Sequence, residues 1–340
     1  MIECHSSQTA AFRDLFSRPF QLRSSSSRRR TVYKMKTFAI TSRDKQYMVP
    51  LHQLTNKMFA GYKYDYIVIS ETPLRRIHWN SFPDSLNSTM VLDFFRNKLT
   101  YKADYGRSDR RISHGVQRRI PDNSSSSSAD SAGDATSGRE SLEMEGNPEE
   151  YDLFAFLRQF KQVLTINLRA NEIEHIPDWA FSSLTRLQNI YLNDNHIRTI
   201  GQYPFFPVPN LHYVCLSDNF LSHIPSETLR FTNSSDVIQI DMVRNQLDDQ
   251  SFPALNNTNR PIILDVSRNR MTGIPRHAFE ILFAKHNSSQ VKMHENNIIC
   301  GCGVRWLLEQ RDIYSYNVRD IKCNTGLPLF NRPIQSLGPC

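Results

Sequence analysis

The chain has 340 residues, 39% of them hydrophobic, with 41 Lys and Arg against 34 Asp and Glu and six cysteines. That is enough apolar material for a sizeable core, while the lack of any run of 18 apolar residues excludes a membrane-spanning helix. The net charge of +7 is local: residues 1–50 hold ten basic and three acidic residues, so the remaining 290 carry 31 of each sign and nothing marks the body of the chain as a nucleic-acid binder.

Residues 1–50 are rich in Arg and Ser, as in Ser24 to Arg30, and are expected to be a disordered basic tail. A secretory leader needs an apolar run of seven or more residues, and Met1 to Ile40 offers nothing longer than Thr37-Phe38-Ala39-Ile40. The composition also suits a mitochondrial transit peptide. The cysteines and glycosylation motifs described below favour instead a chain whose first coding segment is missing or misread.

From residue 51 a frame recurs, apolar-x-apolar-x-x-Asn-x-apolar. Its anchors are Asn97, Asn171, Asn195, Asn219, Asn245, Asn269 and Asn296, with Thr72 in the same slot upstream, and the steps between them are 25, 74, 24, 24, 26, 24 and 27. Five and three residues before the anchors stand apolar pairs such as Ile166/Leu168, Ile190/Leu192 and Leu264/Val266. Period-two alternation makes each frame a short strand with those pairs inward. A period of this size is that of a stacked solenoid, here an α/β leucine-rich repeat horseshoe of about eight repeats. Asparagine suits the turn after the strand because its amide both donates and accepts, and can satisfy backbone groups of adjacent coils. Thr72 is expected to lack that dual capacity, so the first repeat matches the frame least well. Ten residues past the anchor a second ladder, Phe82, Phe181, Phe205, Leu229 and Phe279, is expected to fill the core from the convex side, with Phe252 out of register.

The repeats fall into residues 51–101 and 151–298, separated by 102–150, where serine runs and paired basics bury too little to fold. This stretch is expected to be a disordered insertion or a retained intron, the sharper alternative being processing at Arg110-Arg111 or Arg118-Arg119.

Residues 299–340 close the array with Cys300, Cys302, Cys323 and Cys340, a C-x-C-x20-C-x16-C spacing around Trp306-Leu307-Leu308. Four cysteines allow three connectivities, of which a Cys300–Cys302 bond is sterically poor; zinc knuckles usually space their first pair more widely. This region resembles the C-terminal cap of extracellular leucine-rich-repeat proteins. Within them, Thr72-Pro73-Leu74-Arg75-Arg76-Ile77 and Cys300 to Leu307 are similar to arthropod secreted proteins that resemble the non-catalytic subunit of Oplophorus-luciferin 2-monooxygenase. The resemblance implies Cys300–Cys323 and Cys302–Cys340 bonds and a secreted, non-catalytic module. Here Gly301 stands where the wider family commonly has aspartate, and Ile299 where it commonly has proline.

Catalytic signatures are absent: there is no phosphate loop, His-Glu-x-x-His or Gly-x-Ser-x-Gly motif. No cofactor or metal ligand set is indicated, and His175, His196 and His223 are expected to face solvent. Function then falls to the outward strip of the strands, where Arg169, Tyr191, Asp241, Arg244, Asp265 and Arg268 are the candidate contacts for a protein partner, since Tyr and Arg dominate hot spots. The plain alternative is a solvated face with Asp241/Arg244 and Asp265/Arg268 neutralising one another. Cys215, on the same strip, is free, paired with the distant N-terminus, or intermolecular. Sequons at Asn87, Asn123, Asn233, Asn256 and Asn287 are glycan acceptors if the chain is secreted. The expected function is partner binding, as an accessory subunit of an enzyme or, alternatively, as the ectodomain of a receptor or adhesion protein.

Overall fold

The computed structural model describes residues 32–41, 51–101, 148–318 and 321–337. Each frame becomes one strand of a parallel sheet, because the twenty or so residues between frames are long enough for a crossover to return the chain to the same edge. Among the described residues the sheet has nine strands lying in chain order: β1 (Tyr33–Thr41), β2 (Tyr62–Ser70), β3 (Val91–Asp93), β4 (Thr165–Asn167), β5 (Asn189–Tyr191), β6 (Tyr213–Cys215), β7 (Ile238–Asp241), β8 (Ile262–Asp265) and β9 (Gln290–Lys292). The register follows the frame: Ile67, Leu92, Ile166, Ile190, Val214, Ile240, Leu264 and Val291, each five residues before its anchor, pair in one continuous row. All eight are at most 1% exposed, which makes this row the inner wall of the core. Leu92 pairs directly with Ile166, so the sheet runs across the insertion without interruption.

The anchors bind coil to coil. Each of Asn195, Asn219 and Asn245 accepts at Oδ1 a backbone N–H of the preceding coil, from Ile173, Ile197 and Leu221 respectively, at 2.9–3.1 Å. Each donates from Nδ2 to three carbonyls, two on its own coil and one on the coil before; for Asn195 these are Leu192 and Leu168 at 3.0 Å and Asn193 at 3.3 Å. Buried polar groups that would otherwise cost about 1–3 kcal/mol each are thereby satisfied. Thr72, expected to lack the dual capacity, has it after all: its hydroxyl donates to Asn97 Oδ1 at 2.6 Å and accepts from Leu74 N at 3.3 Å, so it serves by relay.

On the convex side the expected aromatic ladder is buried, with Phe82, Phe181, Phe205 and Phe279 fully enclosed and Leu229 nearly so. Phe181 and Phe205 stack at 6.0 Å between centroids, and Phe205 continues onto Phe231 at 6.1 Å. Phe252, out of register in sequence, is buried against Phe279 at 5.6 Å. In the last repeat the convex side is a helix, α1 (Arg276–Lys285), whose Ala278, Phe279, Leu282 and Phe283 are buried at i, i+1, i+4 and i+5.

Two boundaries differ from the sequence expectation. Residues 33–41 lie in the stretch assigned to a disordered tail, yet form β1, paired with β2 over eight register positions from Tyr33↔Tyr62 to Thr41↔Ser70. Met35, Phe38 and Ile40 pack on the core. In sequence only Phe38-x-Ile40 keeps the period of two, with Met35 out of phase and lysines at 34 and 36 beside it, so the strand is masked. Residues 148–151, at the end of the proposed insertion, form a helical turn whose Glu150 carbonyl accepts from Trp79 N at 2.9 Å. The rest of the insertion and residues 1–31 lie outside the described residues.

The last coil is closed by the cap. Cys300 and Cys323 are disulfide-bonded across 23 residues, as the family resemblance implies, and Cys302 is also in a disulfide; the expected partner, Cys340, lies outside the described residues. Trp306 is 6% exposed and donates from Nε1 to the Ile274 carbonyl at 3.0 Å, so the lid is pinned to the final repeat by one hydrogen bond as well as by Leu307 and Leu308. Among the described residues no helix is long and apolar enough to cross a membrane.

Candidate functional site

The outward side of the nine strands is the candidate site, and the register sorts it into columns. Tyr191, Cys215, Asp241 and Asp265, four residues before their anchors, are direct neighbours on β5 to β8. The sequence strip omitted a further column six residues before the anchor, which includes Thr165, Asn189, Tyr213, Gln239, Ile263 and Gln290 and faces the same way. Extending the period-two alternation by one step would have found it.

The carboxylates of the central column turn back on their own chain. Asp241 Oδ1 accepts from Val243 N at 3.0 Å, and Asp265 Oδ1 accepts from Ser267 N at 3.0 Å and Ser267 Oγ at 2.6 Å. Asp93 caps Phe95 N in the same manner at 3.1 Å and also accepts from Asn167 Nδ2 at 3.0 Å. These short polar side chains close the turn that ends each strand. Burial pushes the Asp93 carboxyl up to about 6, against the lowering effect of those two hydrogen bonds.

Among the described residues no direct ion pair joins Asp241 to Arg244 or Asp265 to Arg268 within one repeat, although Asp241 lies near enough to favour the charged form of Arg244. Arg244 pairs with Asp218 of the preceding coil, through both Nε and Nη2, and Arg268 Nη2 pairs with Glu295 Oε1 of the following coil at 2.8 Å. Arg169 Nε likewise reaches Asp194 Oδ2 of the next coil at 2.9 Å, with its guanidinium 5.5 Å from the Phe95 ring centre. The reason is backbone conformation. The residue just before each anchor, Glu71, Arg96, Ala170, Asp194, Asp218, Arg244, Arg268 or Glu295, lies in the left-handed region with φ between 52° and 58°. Its side chain is thereby thrown sideways toward the adjacent coil. The one sequence sign of this is that none of the eight is β-branched, the class that tolerates positive φ least.

Tyr191 is half-buried, 5.5 Å from Tyr213. Tyr213 and Cys215 form a small apolar cluster with it, separate from the main core. Burial raises the Tyr213 hydroxyl, and the nearby Asp241, Tyr191 and Asp265 raise it further. Cys215 is disulfide-bonded, which removes the free-thiol alternative. The structure thus brings Tyr191, Asp241 and Asp265 together, and leaves Arg169, Arg244 and Arg268 as a rim of ion pairs beside them.

The histidines stand apart. His175 Nδ1 is 2.6 Å from Thr199 Oγ1 and His196 stacks on Phe220 at 6.0 Å; His196 and His223 are exposed while His175 is half-buried. The sequon asparagines Asn87, Asn233, Asn256 and Asn287 are all exposed, each in the segment that leads into the next strand, with Asn256 in a 3-10 turn. Thr89, Thr258 and Ser289 of three sequons are themselves buried: Thr89 Oγ1 donates to the Tyr64 carbonyl at 2.9 Å and Ser289 Oγ accepts from Ile262 N at 3.1 Å. Asn123 lies outside the described residues.

The family model described as BspA type Leucine rich repeat region matches residues 151–281 in six copies. The fold is a leucine-rich repeat solenoid. Fibromodulin of Mus musculus is 31% identical over 112 residues, covering 33% of this chain and 28% of its own length. Podocan of Mus musculus is 36% identical over 63 residues, 18% of this chain and 10% of podocan. Leucine-rich repeat-containing protein 3 of Danio rerio is 28% identical over 112 residues, 33% of this chain and 40% of that protein. The matches span between 10% and 59% of the length of the curated relatives, 28% in the mouse fibromodulin. Among solved structures, a chain from an octameric complex of Latrophilin 3, Unc5D and FLRT2 is similar with a TM-score of 0.45 and 16% identity, over 82% of this chain and 81% of that one.

Proposed function

We propose that the chain is a secreted, non-catalytic binding module whose concave face takes a protein partner. The observation that carries this is the row Tyr191, Cys215, Asp241 and Asp265 on four consecutive strands, flanked by Arg169 and Arg268. A rigid sheet holds aromatic and charged side chains at fixed spacing, so little ordering entropy is lost on contact, and Tyr and Arg anchors of this kind dominate interface energies. Extracellular leucine-rich-repeat relatives such as fibromodulin, and a cross-linked cap, support an oxidising compartment. Glycans at Asn87, Asn233, Asn256 and Asn287 would sit on the segments that lead into the strands and leave the concave face open.

The partner could be an enzyme to which this chain is an accessory subunit, as the similarity to the luciferase non-catalytic subunit implies; the alternative is the ectodomain of a receptor or adhesion protein. The test is capture of a secreted partner from the source organism by the immobilised chain, repeated with Arg169→Ala/Tyr191→Ala. Loss of capture at unchanged melting temperature supports the concave face. Retention moves the site to the convex side or the loops, and turnover of an imidazopyrazinone luciferin by the pure chain overturns the non-catalytic reading.

A further inference from the structure

Two extra residues set one coil apart. The step from Asn219 to Asn245 is 26, against 24 on either side. The register places the surplus: Gln239 pairs with Tyr213 and Ile263, yet stands 20 residues past its anchor where each of those stands 18 past its own. Between Phe231, buried in the convex ladder, and Ile238, buried in β7, the chain bulges outward, with Asn233, Ser235, Asp236 and Val237 all exposed. This bulge carries the sequon Asn233-Ser234-Ser235. Asp236 N donates to Ser234 Oγ at 3.0 Å, and among the described residues no hydrogen bond engages the Ser235 hydroxyl.

The other three sequons are built into the stack. Thr89 is fully buried, its Oγ1 donating to the Tyr64 carbonyl at 2.9 Å and to the Ser85 carbonyl at 3.2 Å. Ser289 is fully buried and accepts from Ile262 N, while Asn317 Nδ2 of the cap holds the carbonyls of Ser289 and Asn287 at 2.7 and 2.9 Å. Thr258 is 2% exposed; its carbonyl accepts from His286 Nε2 at 2.9 Å, and that of Asn256 from Lys285 Nζ at 3.0 Å. A sequon is defined by its hydroxyl as well as by its asparagine, so a hydroxyl with no surface leaves the transferring enzyme nothing to read until the coil opens.

We propose that, of the four described sequons, Asn233 alone accepts an N-linked glycan on the folded chain, whereas Asn87, Asn256 and Asn287 accept one only before their coils close. Transfer joins the asparagine amide nitrogen to the anomeric carbon of a polyprenyl-diphosphate oligosaccharide, breaks the bond from that carbon to the diphosphate oxygen, and releases the amide proton and the lipid diphosphate. Three sites thus record the chain as it was before folding, and one stays open afterwards. In the cell this rests on the secreted reading above; its chemistry rests on the fold alone.

The test supplies purified oligosaccharyltransferase and a polyprenyl-diphosphate oligosaccharide to the full-length unglycosylated chain in two forms, folded with its disulfides intact and unfolded by reduction and alkylation. Occupancy of each asparagine is then read by mass spectrometry of its peptides. The unfolded chain is expected to be modified at all four sites. The folded chain is expected to be modified at Asn233, with occupancy at the other three lower by roughly tenfold or more, since unmaking even one buried hydrogen bond costs about that factor. Ser235→Ala is expected to abolish modification of Asn233 in both forms, and Asn317→Ala, which frees the Asn287 and Ser289 carbonyls, to raise Asn287 on the folded chain several-fold with Asn233 unchanged. Equal occupancy of all four on the folded chain would overturn the proposal, as would a folded chain unmodified at Asn233 when the unfolded one is modified there. A native protein found without glycans would count against secretion and leave this result standing.

Discussion

Asn219 reaches across a coil boundary to Leu192, donating from Nδ2 to its carbonyl oxygen at 3.0 Å. The same amide group donates to Leu216 O of its own coil at 3.1 Å, while its Oδ1 takes the N–H of Ile197 at 2.9 Å. With a further bond to Ser217 O at 3.1 Å, one side chain thus welds two coils at four backbone positions, and because each coil touches only its neighbours, the stability of the stack is the sum of such joints.

Asn219→Ala is expected to leave the buried Ile197 N–H without its acceptor, to leave the Leu192 and Leu216 carbonyls with the amides of Asn195 and Asn245 as their remaining side-chain donors, and to lower stability by about 1–3 kcal/mol. Asn219→Asp keeps the acceptor but sets a carboxylate against two carbonyl oxygens, and should be at least as damaging at neutral pH. Denaturant midpoints would measure both; an alanine variant within error of the parent would show that the ladder contributes nothing net.

Ala170 sits at the left-handed position with φ of 56°. Ala170→Gly, ordinarily destabilising in a regular element, should here leave stability unchanged or raise it by up to about 1 kcal/mol, because relief of the left-handed penalty offsets the larger unfolded-state entropy. Ala170→Val should lower it clearly. Thermal melts of the pair decide the matter, and glycine less stable than alanine would contradict the assignment.

The repeat frame was legible because it rests on one rule applied eight times. Inward pairs, Asn anchors and strand register all follow from alternation and the need to satisfy buried backbone groups, and Thr72 fills the anchor slot of the first repeat through a hydroxyl that relays to the next anchor, Asn97. The outward face was legible in location but not in contacts. Which way Arg244 points depends on a left-handed φ that residue type barely signals, and so its pairing with Asp218 instead of Asp241 could not be foreseen. β1 was hidden for the opposite reason: its lysines belong to an edge strand, where charge is expected on the exposed side, and its composition matched a tail.

Asp93 offers a pH test. Its folded carboxyl titrates near 6, above the unfolded value of 3.8, so the folded state binds the extra proton between those values and stability falls as pH rises from about 4 through 6. Asp93→Asn preserves the acceptor for Phe95 N and Asn167 Nδ2 and removes the buried charge. The variant is expected to gain about 1–2 kcal/mol at pH 7.5 and little at pH 4, read from melts across that range. An equal shift at both pH values would assign the effect to packing instead of ionisation.

The Cys300–Cys323 bridge closes a loop with a sequence separation of 23. Replacing both residues by alanine should cost about 3 kcal/mol and loosen the cap first, seen as faster amide exchange around Trp306 while β4 to β7 stay protected. Uniform loosening along the whole solenoid would mean that the cap and the repeats unfold as one unit.

Asp265 separates the structural from the interactive role of the outward column. Its Oδ1 holds both Ser267 N and Ser267 Oγ, so Asp265→Ala should lower stability by about 1–2 kcal/mol even though the side chain faces outward. Asp265→Asn keeps an acceptor at the same place and should stay within about 0.5 kcal/mol of the parent, while deleting the charge a partner would meet. If the acid makes a partner contact, Asp265→Asn weakens capture with the melting curve unmoved; if it only closes the turn, Asp265→Ala alone is harmful and Asp265→Asn binds as the parent does. An alanine variant as stable as the parent would contradict the turn-closing role itself, and capture measured beside the melt keeps that outcome distinct from a failure of binding.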